Sequence, residues 1–214
     1  MLAVQAPLGE IQRLVDEIGG GLVLANRNSP TQGVISGPRD LVAKAESLCA
    51  ERGWPARALP VSGAFHSALM ADASADFSKF LEACDLGPPS ARIYSNVTAE
   101  PYPDDTESLR STLSRQLLSP VRFCDLIERS HADGVRVYLE VGPRTVLASL
   151  TRAILAGKPC QVLAMDASGG KGCGVVDLAR ALSALAALGH RVDLTAWEAP
   201  IAEPRRPKMA VRLT

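Results

Sequence analysis

The first sixty residues alternate short apolar segments with stretches of helical periodicity, and this alternation constrains the fold more than any other feature of the chain. Gly19, Gly20 and Gly21 interrupt the first helical stretch, and glycines also flank the third apolar segment. The predicted elements are strand Leu2–Val4, helix Gly9–Ile18, strands Leu22–Ala25 and Gly33–Ser36, helix Pro38–Cys49 and strand Ala56–Val61. Because the order βαββαβ is that of a ferredoxin-like split unit, we predict such a subdomain over residues 1–61.

The remaining chain alternates helices and strands in the manner of a parallel α/β layer. Helices are predicted at Ser67–Leu86, Ser108–Leu118, Pro120–Ser130, Thr145–Leu155 and Val176–Leu188, and strands at Ile93–Ser95, Val135–Val141 and Gln161–Met165. These strands are too few for a complete doubly wound sheet. Residues 62–157 are therefore predicted to form the C-terminal part of an α/β core, within a mixed α/β (α+β) fold. Residues 158–214, with a proline-rich end, are predicted to be a linker.

Composition excludes several classes of protein. The formal net charge of the 214 residues is zero, so nothing favours nucleic acid or anionic lipid as a partner. The five cysteines include no C-x-x-C pair, which disfavours a disulfide framework or a metal site. The N-terminus lacks a basic, apolar leader, and no apolar run approaches the ~20 residues that span a bilayer. A soluble, cytoplasmic protein without a metal is expected.

Five segments carry a specific resemblance. They are ANRNSPTQGVISG at Ala25–Gly37, LPVSGAFHSALM at Leu59–Met70, YSNVTAEPY at Tyr94–Tyr102, RQLLSPVRF at Arg115–Phe123 and YLEVGPRTVLASL at Tyr138–Leu150. In this order and spacing they resemble the malonyl-type acyltransferase domains of fatty-acid and polyketide synthases. The resemblance covers nearly the whole chain and implies an α/β-hydrolase-like core.

The resemblance implies a ping-pong transfer of an acyl group. A serine takes malonyl from its coenzyme A thioester and passes it to the phosphopantetheine thiol of an acyl carrier protein, with no bound cofactor. A serine hydroxyl needs an adjacent base, and histidine can accept and return a proton near neutral pH. His66, in GAFHS at the end of a predicted strand, matches the family's catalytic histidine. His131 and His190 lack a motif and are expected in exposed loops.

Further site residues follow from the same resemblance. Gln116 matches the residue whose main-chain carbonyl orients the histidine, although its position alone fits an ordinary helix surface equally well. Asn26 and Asn28 match asparagines at the mouth of the site, but asparagine is also a common turn residue. Gly63 and Phe65 lie where the family varies with substrate, and the AFH form resembles malonyl-selective members.

The nucleophile of the family has no counterpart. The motif GHSxG does not occur, nor does the arginine segment that would bind the malonyl carboxylate. None of the four serines in the first two matched segments lies in a G-x-S-x-G turn; these are Ser29, Ser36, Ser62 and Ser67. The isolated chain is therefore expected to be inactive. The serine would lie before Met1, either in a longer form of this domain or in a separate chain.

The C-terminal residues and the absence of the serine are compatible with more than one function. The stretch LAALGHRVDLTAWE followed by RRPKMAVRLT resembles the linker after the acyltransferase of iterative synthases, notably of enediyne and polyunsaturated-fatty-acid type. Other synthase domains and a serine-bearing N-terminal part are thus expected partners. The alternative is a non-catalytic module that docks a carrier protein or a neighbouring domain. A fragment of a serine hydrolase is a third hypothesis. The order of Asp, Glu and His along the sequence does not support the catalytic triad of such an enzyme.

Overall fold

The computed structural model describes residues 1–195. This part of the chain contains six strands, seven α-helices and two short 3₁₀ turns. The strands are β1 (Leu2–Gln5), β2 (Val23–Ser29), β3 (Gln32–Ser36), β4 (Ala56–Ala58), β5 (Val137–Glu140) and β6 (Gln161–Ala164). The helices are α1 (Leu8–Ile18), α2 (Arg39–Glu51), α3 (Ala71–Glu82), α4 (Thr106–Ser114), α5 (Phe123–Ala132), α6 (Val146–Ile154) and α7 (Gly174–Ala187). The proline-rich tail from Glu198, part of the predicted linker, lies outside the described residues.

The first sheet contains four strands in the order β2-β3-β1-β4, and every neighbouring pair is antiparallel. Its elements follow one another in the predicted order βαββαβ. Alternate residues of β1 are buried, because one face of the sheet packs against α1 and α2. The side chains of this core are fully or almost fully buried and include Leu2, Val4, Ile11, Leu14, Ile35, Ala45 and Cys49.

The triple glycine ends α1 as predicted. Gly19, Gly20 and Gly21 have φ angles of 64°, 65° and 89°, in the left-handed region that glycine adopts without steric cost. At Gly20 the space is also limiting, since a Cβ atom would lie 2.7 Å from Cδ1 of Leu41 on α2. The turn therefore lets α1 and α2 lie close together.

Strand β2 extends further than predicted, to Ser29 rather than Ala25. Its register with β3 shifts between Leu24 and Asn26 and again between Arg27 and Ser29, so β2 carries two irregularities of the β-bulge kind. On its other edge, β2 forms a parallel bridge between Asn26 and Val121. This bridge joins the first sheet to the second half of the chain.

The second half contains the parallel pair β5 and β6, in agreement with the predicted parallel layer. Helices α5 and α6 pack together beside it around Cys124, Ile127, Ile154 and Leu155. A strand lies within the predicted range Val135–Val141, but β5 spans only Val137–Glu140, and its residues are half-buried instead of buried. The side chain beyond it, Val141, is 74% exposed.

Three predicted elements differ in their bounds for local reasons. The helix predicted from Pro120 begins only at Phe123, because the main chain of Val121 hydrogen-bonds to β2. Strand β4 ends at Ala58, shortly before Pro60, which has no N–H to donate. At Ile93–Ser95 the described structure has a single bridge, between Tyr94 and Pro101, instead of a strand.

Two predicted helices are interrupted by tighter turns. The first begins as a 3₁₀ turn at Ala68–Met70, continues as α3 and ends at Glu82 instead of Leu86. The second starts earlier than predicted, as α4, and closes in a 3₁₀ turn at Arg115–Leu117. The main chain of His66 hydrogen-bonds to the second of these turns, at Leu117.

Candidate active site

His66 lies in the loop between β4 and α3, with its main chain in an unusual conformation. Its φ angle is 61°, in the left-handed region that few residues other than glycine occupy. The main-chain N–H of His66 donates a 3.0 Å hydrogen bond to the carbonyl of Leu117, in the turn that closes α4. A strained backbone at a functional side chain is a known feature of active sites.

Two carbonyl oxygens contact the imidazole ring. Nδ1 of His66 lies 3.0 Å from the carbonyl oxygen of Gln116 and 3.0 Å from that of Ser119. Carbonyl oxygens only accept hydrogen bonds, so Nδ1 must carry a proton in either contact. In the neutral ring the lone pair is then on Nε2, which is the arrangement a general base requires.

The carbonyl groups near the His66 ring belong to one helix end. Gln116, Leu117 and Ser119 lie at or just beyond the C-terminal end of α4 and its 3₁₀ turn. Carbonyl groups at a helix C-terminus carry partial negative charge, which stabilises nearby cations. Both contacts of Nδ1 are therefore with carbonyl groups of this helix end.

The carbonyl of Ser119 is held in place by the first sheet. Two residues further on, Val121 donates its N–H to the carbonyl of Ala25 at 2.8 Å and accepts the N–H of Arg27 at 2.9 Å. Asn26, one of the predicted substrate-binding residues, is the bridge partner of Val121 in β2. The bulged strand β2 thus positions the segment that contacts His66. It also places Asn26 beside Val121 of that segment.

Phe65 and Gly63 pack together within the loop that carries His66. A Cβ atom at Gly63 would lie 3.5 Å from Cε2 of Phe65 and 3.4 Å from Sδ of Met70. These are ordinary van der Waals distances, so a methyl group at position 63 would contact the phenyl ring without displacing it. Gly63 also borders a groove of about 190 Å³ that Arg39 and Val61 help to line.

The other predicted residues are less directly connected to His66. Nδ2 of Asn28 donates a 3.4 Å hydrogen bond to Oε1 of Gln32 across the β2–β3 turn, a contact expected of a turn residue. His190 is exposed after α7, as expected. The expectation of an exposed loop for His131 was wrong, because it lies half-buried in α5.

From the sequence, Ser67 belongs to the segment GAFHS around His66 and is not a credible nucleophile. In the structure its side chain is 2% exposed and makes two hydrogen bonds within the histidine loop. The sequence also does not predict the contact of the Ser119 carbonyl with His66 or the bridge at Val121. Both act through main-chain atoms, which leave no mark on residue identity. A serine directly before the 3₁₀ turn Ala68–Met70 is a common N-cap residue, and this is the signal in the sequence for a structural role of Ser67.

Two absences concern the described residues only. Between residues 1 and 195, no group of three or more His, Cys, Asp or Glu side chains is placed to hold a metal ion. No helix in this range is long and apolar enough to cross a membrane.

Both the sequence and the fold of the chain are similar to those of known proteins. Residues 1–183 match the family described as the acyl transferase domain. The chain belongs to this acyl transferase domain family. It is similar to the polyketide biosynthesis protein ThaF of Burkholderia thailandensis, with 41% identity over 155 residues (72% of the chain and 13% of ThaF). It is also similar to the malonyl CoA-acyl carrier protein transacylase of Bacillus subtilis, with 38% identity over 69% of the chain and 46% of that protein.

A solved acyl transferase domain has the same fold. The acyltransferase domain from the second module of the salinomycin polyketide synthase superimposes with a TM-score of 0.81 at 26% identity, covering 95% of this chain and 48% of that one. The chain thus spans less than half the length of each of these relatives. The mixed α/β architecture of acyl transferase domains is therefore shared over this part.

Proposed function

We propose that this chain is the histidine-bearing part of an acyltransferase that moves malonyl from coenzyme A to an acyl carrier protein. The observation that carries the proposal is the Nδ1 contact of His66 with the carbonyls of Gln116 and Ser119 at 3.0 Å. That contact leaves Nε2 free to accept a proton. Membership of the acyl transferase domain family supports the same chemistry.

In the proposed reaction His66 moves one proton twice. The hydroxyl proton of a serine passes to Nε2 as the serine oxygen attacks the thioester carbonyl of malonyl-CoA. The C–S bond then breaks, and the departing sulfur of coenzyme A takes the proton back. The second half-reaction runs in reverse with the carrier-protein thiol. The carbonyl of Gln116 orients the ring and keeps the proton on Nδ1.

The substrate-binding residues are proposed on position. Phe65, packed over Gly63 and beside Met70, would form one wall of the acyl pocket and limit it to malonyl. Asn26 would line the mouth, because its bridge partner Val121 belongs to the segment that contacts His66. Asn28 would contribute at the same mouth through the shape of the β2–β3 turn.

The proposed organisation has three parts. Residues 1–61 form a ferredoxin-like subdomain, 62–157 the C-terminal part of an α/β-hydrolase-like core, and 158–214 a linker to other synthase domains. The antiparallel sheet order β2-β3-β1-β4 supports the first part. The parallel pair of β5 and β6 joins the second part to residues 161–164, so the core continues past residue 157 into the beginning of the predicted linker. The nucleophilic serine would come from a serine-bearing partner segment, because no G-x-S-x-G sequence occurs among the 214 residues.

An exposed apolar surface supports the need for that partner. Val141, Val146 and Leu147 are 74%, 58% and 48% exposed, and they follow β5 or begin α6. Parallel strands are ordinarily covered on both faces. A segment that packs against this surface would bury it and complete the sheet.

The test is reconstitution. This chain, alone and mixed with a separately expressed polypeptide that carries a GHSxG segment of the family, is incubated with malonyl-CoA, and intact masses are measured. We expect a malonyl adduct on the serine-bearing polypeptide of the mixture and none on this chain alone. An adduct on this chain alone would show that it has its own nucleophile.

Two further outcomes separate the alternatives. If the two polypeptides associate and no adduct forms, the acyltransferase proposal is wrong. If the chain then binds an acyl carrier protein without acylation, the non-catalytic docking module is correct instead. A mixture with bovine serum albumin in place of the serine-bearing polypeptide controls for nonspecific acylation.

A further inference from the structure

Ser67 makes two hydrogen bonds that point in opposite directions along the chain. Its hydroxyl donates to the carbonyl of Ala64 at 2.6 Å, and its Oγ accepts the N–H of Leu69 at 3.3 Å. The side chain is 2% exposed, so water does not compete for either bond. Buried hydroxyl groups that are fully hydrogen-bonded rigidify the segment around them.

The backward bond encloses His66. The link from Ser67 to Ala64 closes a four-residue loop whose two inner residues are Phe65 and His66. Within this loop His66 adopts the left-handed φ of 61°, and its N–H reaches the carbonyl of Leu117. A free chain rarely holds a histidine in that conformation, so neighbouring contacts must hold it.

Helix capping does not account for both bonds. Ser67 is the N-cap of the 3₁₀ turn Ala68–Met70, and a cap needs only to accept the N–H of Leu69. The shorter bond, to Ala64, serves no cap, because it joins the two sides of the histidine loop. Its effect falls on the backbone of His66.

We propose that Ser67 is a positioning residue, which holds the His66 backbone in its left-handed conformation so that Nδ1 meets the carbonyls of Gln116 and Ser119. The inference rests on the proposed role of His66 as the base. Ser67 itself takes no proton and forms no bond with substrate. Loss of its hydroxyl frees the loop, and the ring then exchanges between orientations and tautomers.

The first test needs no acyl transfer. In ¹⁵N-labelled full chain, the His66 ring should give one pyrrole-type Nδ1 resonance and one pyridine-type Nε2 resonance at a pH where the ring is neutral. In Ser67→Ala these should broaden or average towards each other, which reports mixed tautomers. In Ser67→Thr, which keeps the hydroxyl, the wild-type pattern should return.

Ser74→Ala is the matched control. Ser74 is also a buried serine, and its hydroxyl donates to the carbonyl of Ser114 at 3.2 Å without touching the histidine loop. This variant loses a comparable hydrogen bond and should leave the His66 resonances unchanged. Unchanged His66 resonances in Ser67→Ala, or equal changes in Ser67→Ala and Ser74→Ala, would overturn the proposal.

The second test uses the reconstituted pair. For Ser67→Ala we expect kcat to fall about tenfold to a hundredfold, the range expected when a catalytic group is misplaced, with KM for malonyl-CoA nearly unchanged. A rise in KM with constant kcat would contradict the inference. If the pair shows no acylation at all, the proposed function fails, and the resonances still decide the role of Ser67. Should Ser67→Ala not fold, Ser67→Cys takes its place, with the same expected direction.

Discussion

Oε2 of Glu140, the last residue of β5, accepts a 2.8 Å hydrogen bond from the main-chain N–H of Ala148 in the first turn of α6. Its other oxygen accepts the N–H of Leu147 at 3.0 Å. The N-cap residue of α6, Thr145, makes no such bond with its own side chain. A strand residue therefore caps the following helix, and the carboxylate also suits the positive end of the helix dipole.

Replacement of this cap should weaken the fold. Glu140→Ala leaves two N–H groups without an acceptor, so the free energy of unfolding should fall by about 1–2 kcal/mol, the usual range for a lost cap. Urea denaturation followed by circular dichroism measures it. Glu128→Ala, at an exposed position of α5, is the control and should change little. Equal loss in both variants would mean that the cap contributes nothing.

His66→Ala should abolish transfer in the reconstituted pair. Without the base, the serine hydroxyl keeps its proton, and removal of a general base typically costs about 10²–10⁴ in rate. The rate of malonyl adduct formation measures the loss, and co-purification of the two polypeptides should be unaffected. His190→Ala, at an exposed histidine, is the control. Transfer that survives in His66→Ala would exclude His66 as the base.

Gln116→Ala should be mild. The contact with His66 comes from the main-chain carbonyl of Gln116, which alanine retains. We expect kcat to stay within about threefold of wild type, the usual size of an effect from a side chain outside the contact. A loss as large as that of His66→Ala would assign a direct role to the side-chain amide instead.

Phe65→Ala should relax the choice of acyl group. Removal of the phenyl ring enlarges the space beside Gly63 and Met70, so methylmalonyl-CoA should gain relative to malonyl-CoA. One methyl group is worth about 1–3 kcal/mol in such a pocket, which sets the gain at roughly tenfold to a hundredfold in relative kcat/KM. Leu69→Ala, at a residue 61% exposed in the same loop, is the control and should keep the wild-type ratio. An unchanged ratio in Phe65→Ala would remove Phe65 from the pocket.

Acid should remove the contribution of Asp133. The Tyr94 hydroxyl donates a 2.8 Å hydrogen bond to Asp133 and, with help from Arg129, lowers the pKa of that carboxyl below 3.8. Because the folded pKa is the lower one, the carboxylate stabilises the fold above the unfolded pKa of about 3.9. That stability is lost as the pH falls through the folded pKa.

Unfolding by urea across this pH range checks the sign. Wild type should be more stable than Asp133→Asn at pH 6, and the difference should shrink as the pH falls below about 3.9. Asp104→Asn, at an exposed aspartate, should show no such trend. A difference that grows towards low pH would contradict the assignment.

The sequence predicts the first sheet well, because its apolar periodicity and its glycine stop at Gly19–Gly21 are local signals. The five matched segments also lead to His66 and to the carbonyl of Gln116. The start of α5 at Phe123 was not predictable, since it depends on the bond of Val121 to a strand almost a hundred residues earlier. The positive φ of His66 was also not predictable from the sequence. The N–H of His66 bonds to Leu117, which is about fifty residues further along the chain.

The two acceptors of the His66 ring are main-chain atoms of one turn, and this shapes how the domain can diverge. Side chains at positions 116 and 119 can be exchanged over evolutionary time while both oxygens remain. Insertion or deletion of a single residue between them would rotate one carbonyl away from the ring. We therefore expect active members of the family to share the number of residues in this turn more strictly than the residue types.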